Sequence, residues 1–245
     1  MSPVVDATAP QSREEAVARA VGAVQAGQLI VLPTDTVYGI GCDAFDAEAV
    51  SSLLAAKGRG RDVPPPVLIG EIRTLDGIAI DVEPYVRDLV EKFWPGALTV
   101  IVTAQPSLIW DLGETHGTVA VRMPDDEVAL AILRETGPMA VTSANLHGAP
   151  AATSVLDAAT QLGSAVEIYV DGGARASQLP STILDCTGPV PTVLRAGAIS
   201  EDDIAAVLPA SVRPEPESEP EPDLHSDPEP QPEVLGEMSA DHPAE

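Results

Sequence analysis

The sequence predicts an α/β domain built on a mixed sheet. Three observations predict it. Apolar runs of strand length alternate with stretches of helical period throughout residues 12–208, no fixed-period repeat interrupts them, and no Pro/Ser/Gly-rich linker divides them. The chain has 245 residues, 44% of them hydrophobic, enough for a sizeable core. Short connections in the second half favour hairpins.

Residues 12–15 (SREE) read as a capping box, with Val17, Val21 and Val24 following at helical spacing and Gly27 closing the helix. Residues 28–32 (QLIVL) read as a buried strand, after which residues 33–39 (PTDTVYG) turn into a second extended piece. Asp46 caps a helix running to Lys57 with Val50, Leu53 and Leu54 inward, and Gly58 stops it. Residues 58–66 (GRGRDVPPP) exclude regular structure and lead into a short strand at 67–69. Residues 83–93 form an amphipathic helix that Trp94-Pro95-Gly96 ends. Strands at 97–102 and 118–122 precede a helix over 125–136, whose Asp125, Asp126 and Glu127 suit a positive helix N-terminus. A strand over 139–142 ends in Ser143-Ala144-Asn145, and a short helix covers 154–162. Strands follow at 166–170, 182–186 and 193–195, and Ser200 caps a last helix reaching Leu208.

Lys+Arg number 13 against 38 Asp+Glu, a net charge of -25, which argues against a protein that coats nucleic acid through a broad basic surface. From Val212 onward the chain holds 11 of those acids and 8 of its 24 prolines, with one base, Arg213. Proline bars regular structure and like charges repel. Residues 211–245 are therefore expected as a disordered acidic tail, either solubilising or docking to a basic partner. Residues 1–11 are expected as a flexible N-terminus and residues 12–210 as the folded domain. No apolar run approaches the roughly 18 residues that span a bilayer, and no secretory signal is visible, so a cytoplasmic protein without membrane contact is expected. Cys42 and Cys186 form no disulfide framework, and no CxxC or HxxxH cluster suggests zinc, so no metal ligand is assigned.

The chemistry is narrowed first by absences. There is no GxxxxGK(S/T) loop and no GxSxG elbow, and only His116 and His147 lie within the expected domain, which argues against a histidine triad or a multi-histidine metal site. Residues 39–44 (GIGCDA) fit GxGxxA formally. The following helix starts too late, at Asp46, and a basic loop stands where a ribose-binding acid belongs. Four polar segments at strand ends remain. Thr34, Asp35, Thr36 and Tyr38 offer hydroxyls and a carboxylate. Lys57, Arg59 and Arg61 crowd into five residues of a chain that has only one other lysine, Lys92, and so call for an anion. Thr142, Ser143 and Asn145 end a strand with small groups able to bond phosphate or ribose. Ser181 and Thr182 stand with Arg195 near late strands. Each alone reads first as a turn, a helix end or a cap; their joint occurrence is what shifts the reading toward a site for phosphate, ribose or another small polar ligand.

Seven segments occur in order over residues 12–208: PTDTVYGIGCDAF, KGRGRDVPPPVLI, FWPGALTVIV, VAVRMPD, VTSANLHGAP, PSTILDCTG and VLRAGAI. The set resembles the YrdC-like family of threonylcarbamoyl-AMP synthases, in its short single-domain form. The resemblance implies a twisted mixed, largely antiparallel sheet with helices packed around it and a concave, positive cleft. It implies a nucleotidyltransferase that joins L-threonine, bicarbonate or CO2 and ATP into threonylcarbamoyl-AMP and pyrophosphate. A tRNA-modifying transferase complex would receive the intermediate, with weak tRNA contact at most. Mg2+ would ride on the triphosphate, and no organic prosthetic group is implied. Lys57 and Arg59 would be catalytic and bind ATP together with Arg61, Ser143, Asn145 and Arg195. Thr34, Tyr38, Arg122, Thr142 and Ser181 would hold threonine, Arg122 taking its carboxylate bidentately. Two departures stand out. Gly70 occupies a position where many members carry a histidine, and the 58–66 loop, a candidate lid, differs from the commoner KxRP pattern. The competing reading is a non-enzymatic double-stranded RNA or tRNA-binding module of the same fold, which the net charge and the 3% aromatic content disfavour.

Overall fold

The computed structural model describes residues 2–176 and 179–212; from residue 213 on, the expected acidic tail lies outside the described residues. Ten strands form one sheet: β1 (Val4–Asp6), β2 (Ile30–Leu32), β3 (Gly39–Asp43), β4 (Val67–Leu68), β5 (Leu98–Thr103), β6 (Thr118–Arg122), β7 (Met139–Ser143), β8 (Ile168–Asp171), β9 (Thr182–Asp185) and β10 (Thr192–Arg195). The spatial order is β1-β8-β2-β3-β7-β4-β6-β5-β9-β10. Pairs β2–β3, β3–β7, β4–β7, β5–β6 and β9–β10 are antiparallel; β1–β8, β2–β8, β4–β6 and β5–β9 are parallel. The sheet is therefore mixed, as the sequence pattern implies.

Helices α1 (Pro10–Gln25), α2 (Ala47–Lys57), α3 (Leu75–Ile78), α4 (Pro84–Phe93), α5 (Glu127–Thr136), α6 (Val155–Leu162) and α7 (Glu201–Val207) surround it. Asp46 and Ser200 cap α2 and α7 as the sequence leads one to expect, and Asp126 and Ser154 cap α5 and α6 as well. Asp46 and Asp126 each accept two backbone N–H bonds, and Ser154 closes a full capping box with Asp157. Gly58, at φ 62, takes the left-handed conformation that stops α2.

The N-terminus corrects two expectations. Residues 1–11 are not a flexible lead: Val4–Asp6 pair in parallel with β8, and Val5 is buried. Residues 12–15 are not a capping box. Pro10 starts α1 from Ala9, and Ser12 turns its hydroxyl to Asp6 at 2.9 Å instead. The turn of helix at α3 also lay outside the sequence pattern.

Side chains alternate between the two sheet faces. Val31, Ile40, Val67, Ala140, Tyr169 and Leu184 enter one apolar core with residues of α2, α4, α6 and α7. Ile30, Leu32, Leu68, Met139, Val141, Ile168 and Val170 enter a second with α1 and α5. The apolar strand residues that pack with α1 and α5 on that second face come from β1, β8, β2, β7 and β4, and among the described residues none comes from β6, β5, β9 or β10. The strand register carries the face onward across the other half: Leu68 pairs with Arg122, Thr99 with Ile183, and Ile183 with Arg195. That uncovered half is where polar side chains replace apolar ones. Among the described residues no helix is long and apolar enough to cross a membrane.

Candidate active site

A cavity of about 620 Å³ opens over the uncovered half-face. Its wall takes Thr34, Thr36 and Tyr38 from the β2–β3 turn and Arg59 with Asp62–Pro66 from the 58–66 loop. Strands β5, β6, β7 and β10 add Thr99, Arg122, Thr142, Ser143 and Arg195, with Ser181 just ahead of β9 and Asn145 just after β7. Three guanidinium groups thus face it against one carboxylate, that of Asp62. The glycines of the GxGxxA match serve this wall sterically: a Cβ at Gly39 or Gly41 would meet a Val141 methyl at 2.6 Å, so they bring β3 and β7 together rather than cradle a pyrophosphate.

Arg122 is almost fully buried. Its Nε donates to Gly96 O at 2.9 Å, Nη1 to Thr36 Oγ1 at 3.1 Å and Nη2 to Asp35 Oδ1 at 2.5 Å. Burial lowers its pKa despite the Asp35 carboxylate. Each terminal nitrogen keeps one further N–H, so the group can still meet a carboxylate. Asp35 also accepts from Asp125 N at 3.1 Å, which ties the turn to the start of α5. Thr34 is buried, donates to Val37 O at 2.6 Å and accepts from Thr36 N at 3.2 Å.

On the opposite wall, Ser143 and Thr142 end β7, and Arg59 Nη1 reaches Thr142 Oγ1 at 3.4 Å. Asn145 Nδ2 donates to Leu146 O and Ala149 O, both at 2.8 Å. Two buried side-chain atoms here have no partner, Arg59 Nε and Asn145 Oδ1. One is a donor and one an acceptor, and both residues line the cavity. Burial depresses the pKa of Arg59 and of Arg195, the latter also through the nearby Arg122 charge. An anion in the cavity would relieve all three guanidinium groups.

Three expected site residues are placed differently. Lys57 does not line the cavity. It is 1% exposed and its Nζ donates to the backbone oxygens of Ser143 and Asn145, clamping the end of α2 to the end of β7 from below. Burial first, and Arg59 second, bring its pKa down to about 8. Arg61 turns away into an exposed ion pair with Asp111 at 2.7 Å, outside the cavity lining. Its backbone oxygen accepts from Glu114 N at 2.8 Å, pinning the 58–66 loop to the 111–114 segment. Tyr38 presents its ring, but its hydroxyl donates to Gly173 O at 2.7 Å and accepts from Gly172 N at 3.1 Å, leaving no donor for a ligand. Burial and Asp171 push that phenol up to about 12.

Two supporting residues escaped the sequence reading. Arg175 donates to Thr34 O at 3.1 Å and Asp126 Oδ2 at 2.9 Å and lies over the Tyr38 ring, so it braces the β2–β3 turn; a lone arginine in a loop gave no signal. Thr99 stands between Leu98 and Val100 in the strand LTVIVT, and strand alternation marks it as facing away from both. Among the described residues no group of three or more His, Cys, Asp or Glu side chains is placed to hold a metal ion.

Comparison with known proteins gives one consistent answer. The family model Sua5/YciO/YrdC, described as telomere recombination, matches residues 22–197. A Mycobacterium tuberculosis protein provisionally named threonylcarbamoyl-AMP synthase is 51% identical over 208 residues, covering 85% of this chain and 96% of that protein. The Bacillus subtilis threonylcarbamoyl-AMP synthase is 38% identical over 195 residues, covering 78% of this chain and 56% of that protein. The crystal structure of Pyrococcus abyssi Sua5 complexed with L-threonine matches with a TM-score of 0.80 and 32% identity, over 86% of this chain and 62% of that one. This chain thus spans under two thirds of the Bacillus and Pyrococcus proteins and nearly all of the mycobacterial one.

Proposed function

The chain belongs to the Sua5/YciO/YrdC family, and from that premise we propose that it is a threonylcarbamoyl-AMP synthase, a nucleotidyltransferase acting on L-threonine, bicarbonate or CO2 and ATP. The observation that carries the reading is one cavity holding three guanidinium groups, a row of hydroxyls and two buried, unpartnered polar atoms. The threonine amine, losing a proton, bonds to CO2 and becomes a carbamate. A carbamate oxygen then attacks the α-phosphorus of ATP, and the bond to the β-phosphate oxygen breaks to release pyrophosphate. This chemistry needs alignment and charge stabilisation more than a side-chain nucleophile.

In this reading Arg59 Nε, Ser143 and Asn145 Oδ1 bind ATP, the first two at phosphate and the acceptor at ribose or base, with Thr142 steering Arg59. Arg122, Thr34 and Ser181 hold threonine, and Arg195 stands between the two subsites. Lys57 works as a positioning residue, because its ammonium reaches the backbone of Ser143 and Asn145 and not the cavity. Magnesium would come with the triphosphate on phosphate oxygens and water, neutralising charge; Asp62 is the one carboxylate on the wall that could join it. The domain of residues 12–210, extended by β1, would act in the cytoplasm and hand its product to a tRNA-modifying transferase.

Pyrophosphate release by the purified protein tests this directly. Release should require ATP, L-threonine and bicarbonate together and fall at least about a hundredfold in Arg59→Met, the order expected when a charge-stabilising donor is lost. Release that ignores omission of threonine or bicarbonate would reject it.

A further inference from the structure

Thr99 lies on β5 with its side chain on the cavity face, buried, and its Oγ1 is 2.8 Å from Ser181 Oγ. Arg195 approaches the same serine from β10. Its Nε and Nη2 both donate to Ser181 O, at 3.0 and 2.8 Å, and Nη2 also donates to Ser181 Oγ at 3.0 Å. A hydroxyl has one proton and two lone pairs. Arg195 fills one lone pair of Ser181. The contact with Thr99 uses one proton, whichever hydroxyl supplies it. One hydroxyl proton of the pair is then left over, and both hydroxyls line the cavity.

The pair therefore offers one proton for an oxygen acceptor and keeps lone pairs besides, and the Arg195 guanidinium bonded to it disfavours an ammonium group there. Its surroundings select the charge of that acceptor. The Arg195 guanidinium is bound to the pair, and Arg122 shares the cavity wall, where Asp62 is the one carboxylate among the described lining residues. A carboxylate oxygen satisfies both the leftover proton and the positive field.

We infer that Thr99 is a substrate-positioning residue: with Ser181 it presents one hydroxyl proton to a carboxylate oxygen of the amino-acid substrate, and Arg195 fixes the direction of that bond. The inference rests on the proposed synthase reaction, in which two carboxylates occur. One is the α-carboxylate of threonine; the other forms on its amine from bicarbonate. Either satisfies the geometry, and the test separates them.

The test compares Thr99→Val and Thr99→Ser with the unaltered protein. Valine keeps the β-branch and strand preference without the hydroxyl; serine keeps the hydroxyl. Binding of L-threonine is measured by calorimetry without bicarbonate, and pyrophosphate release is measured with each substrate varied. Thr99→Val should weaken L-threonine binding about tenfold if the α-carboxylate is the acceptor, or raise the KM for bicarbonate about tenfold if the new carboxylate is. The KM for ATP should stay within about twofold in both variants, and Thr99→Ser should stay within about threefold of the unaltered protein throughout. A valine variant with unchanged threonine binding and unchanged bicarbonate KM would overturn the inference. So would a serine variant as impaired as valine, or an ATP KM rising in parallel, since either marks a packing role. If the unaltered protein itself binds no L-threonine, the proposed reaction fails first and takes this inference with it.

Discussion

Lys57 is a buried cation held by backbone oxygens, with no carboxylate in ion-pair contact among the described residues. Its pKa falls from 10.5 to about 8, first through burial and then through Arg59. The native state therefore binds the Lys57 proton less readily than the unfolded chain does. Below about pH 8 both states carry the proton and folding bears the whole cost of burying it. Between about pH 8 and 10.5 the native lysine is neutral while the unfolded one is still charged, so stability rises with pH. The full displacement corresponds to about 3 kcal/mol. About 1–2 kcal/mol of that change falls between pH 7 and 9.5, where the native group titrates while the unfolded one stays charged. Lys57→Met removes the titration. It also leaves the Ser143 and Asn145 oxygens without this donor, which lowers stability by about 1–3 kcal/mol per group at every pH. The assay is urea unfolding of both proteins from pH 7 to 9.5 at fixed ionic strength. The unaltered protein should gain about 1–2 kcal/mol on the variant as pH rises. A difference that is flat, or that shrinks with pH, would refute the account of Lys57 as a buried, partly desolvated clamp.

The remaining predictions concern the same half-face. Asp35→Asn leaves the buried Arg122 charge without its partner and should lower stability by about 3–5 kcal/mol by chemical denaturation, with weaker L-threonine binding. Gly70→Ala should cost about 1–3 kcal/mol, read as a drop in Tm, because a Cβ there would meet Arg134 N at 2.9 Å and Leu133 C at 3.0 Å and push α5 off the sheet. Arg61→Ala should change stability by less than about 1 kcal/mol and leave the KM for ATP within about twofold, since its ion pair with Asp111 is exposed and outside the cavity.

The sequence was most legible where a local rule decides the outcome. Asp46 and Ser200 cap helices because a short side-chain oxygen at that position can satisfy orphan N–H groups whatever the rest of the fold does. Strand periods placed β6 and β7 almost to the residue. The N-terminus failed for a non-local reason: Val4–Asp6 become a strand only because β8, far along the chain, offers its edge. The site divides in the same way. Thr34, Arg59, Arg122, Thr142, Ser143, Asn145, Ser181 and Arg195 do converge on one cavity. Which atoms they offer was not readable, because partners such as Gly173 for Tyr38, Asp111 for Arg61 and the β7 backbone for Lys57 lie 50 or more residues away. Gly70 illustrates the limit: in the sequence it is only a departure from the family pattern, and the fold adds that it is a gap that lets α5 sit close.

The central claim, that this cavity makes a threonylcarbamoyl adenylate, is tested most directly by following the carbon of bicarbonate. Protein incubated with ATP, L-threonine and 13C-bicarbonate should yield an adenylate in which mass spectrometry finds both threonine and the labelled carbon, in step with pyrophosphate release. Pyrophosphate or AMP released by well-folded protein with no labelled threonine-containing adenylate would contradict it.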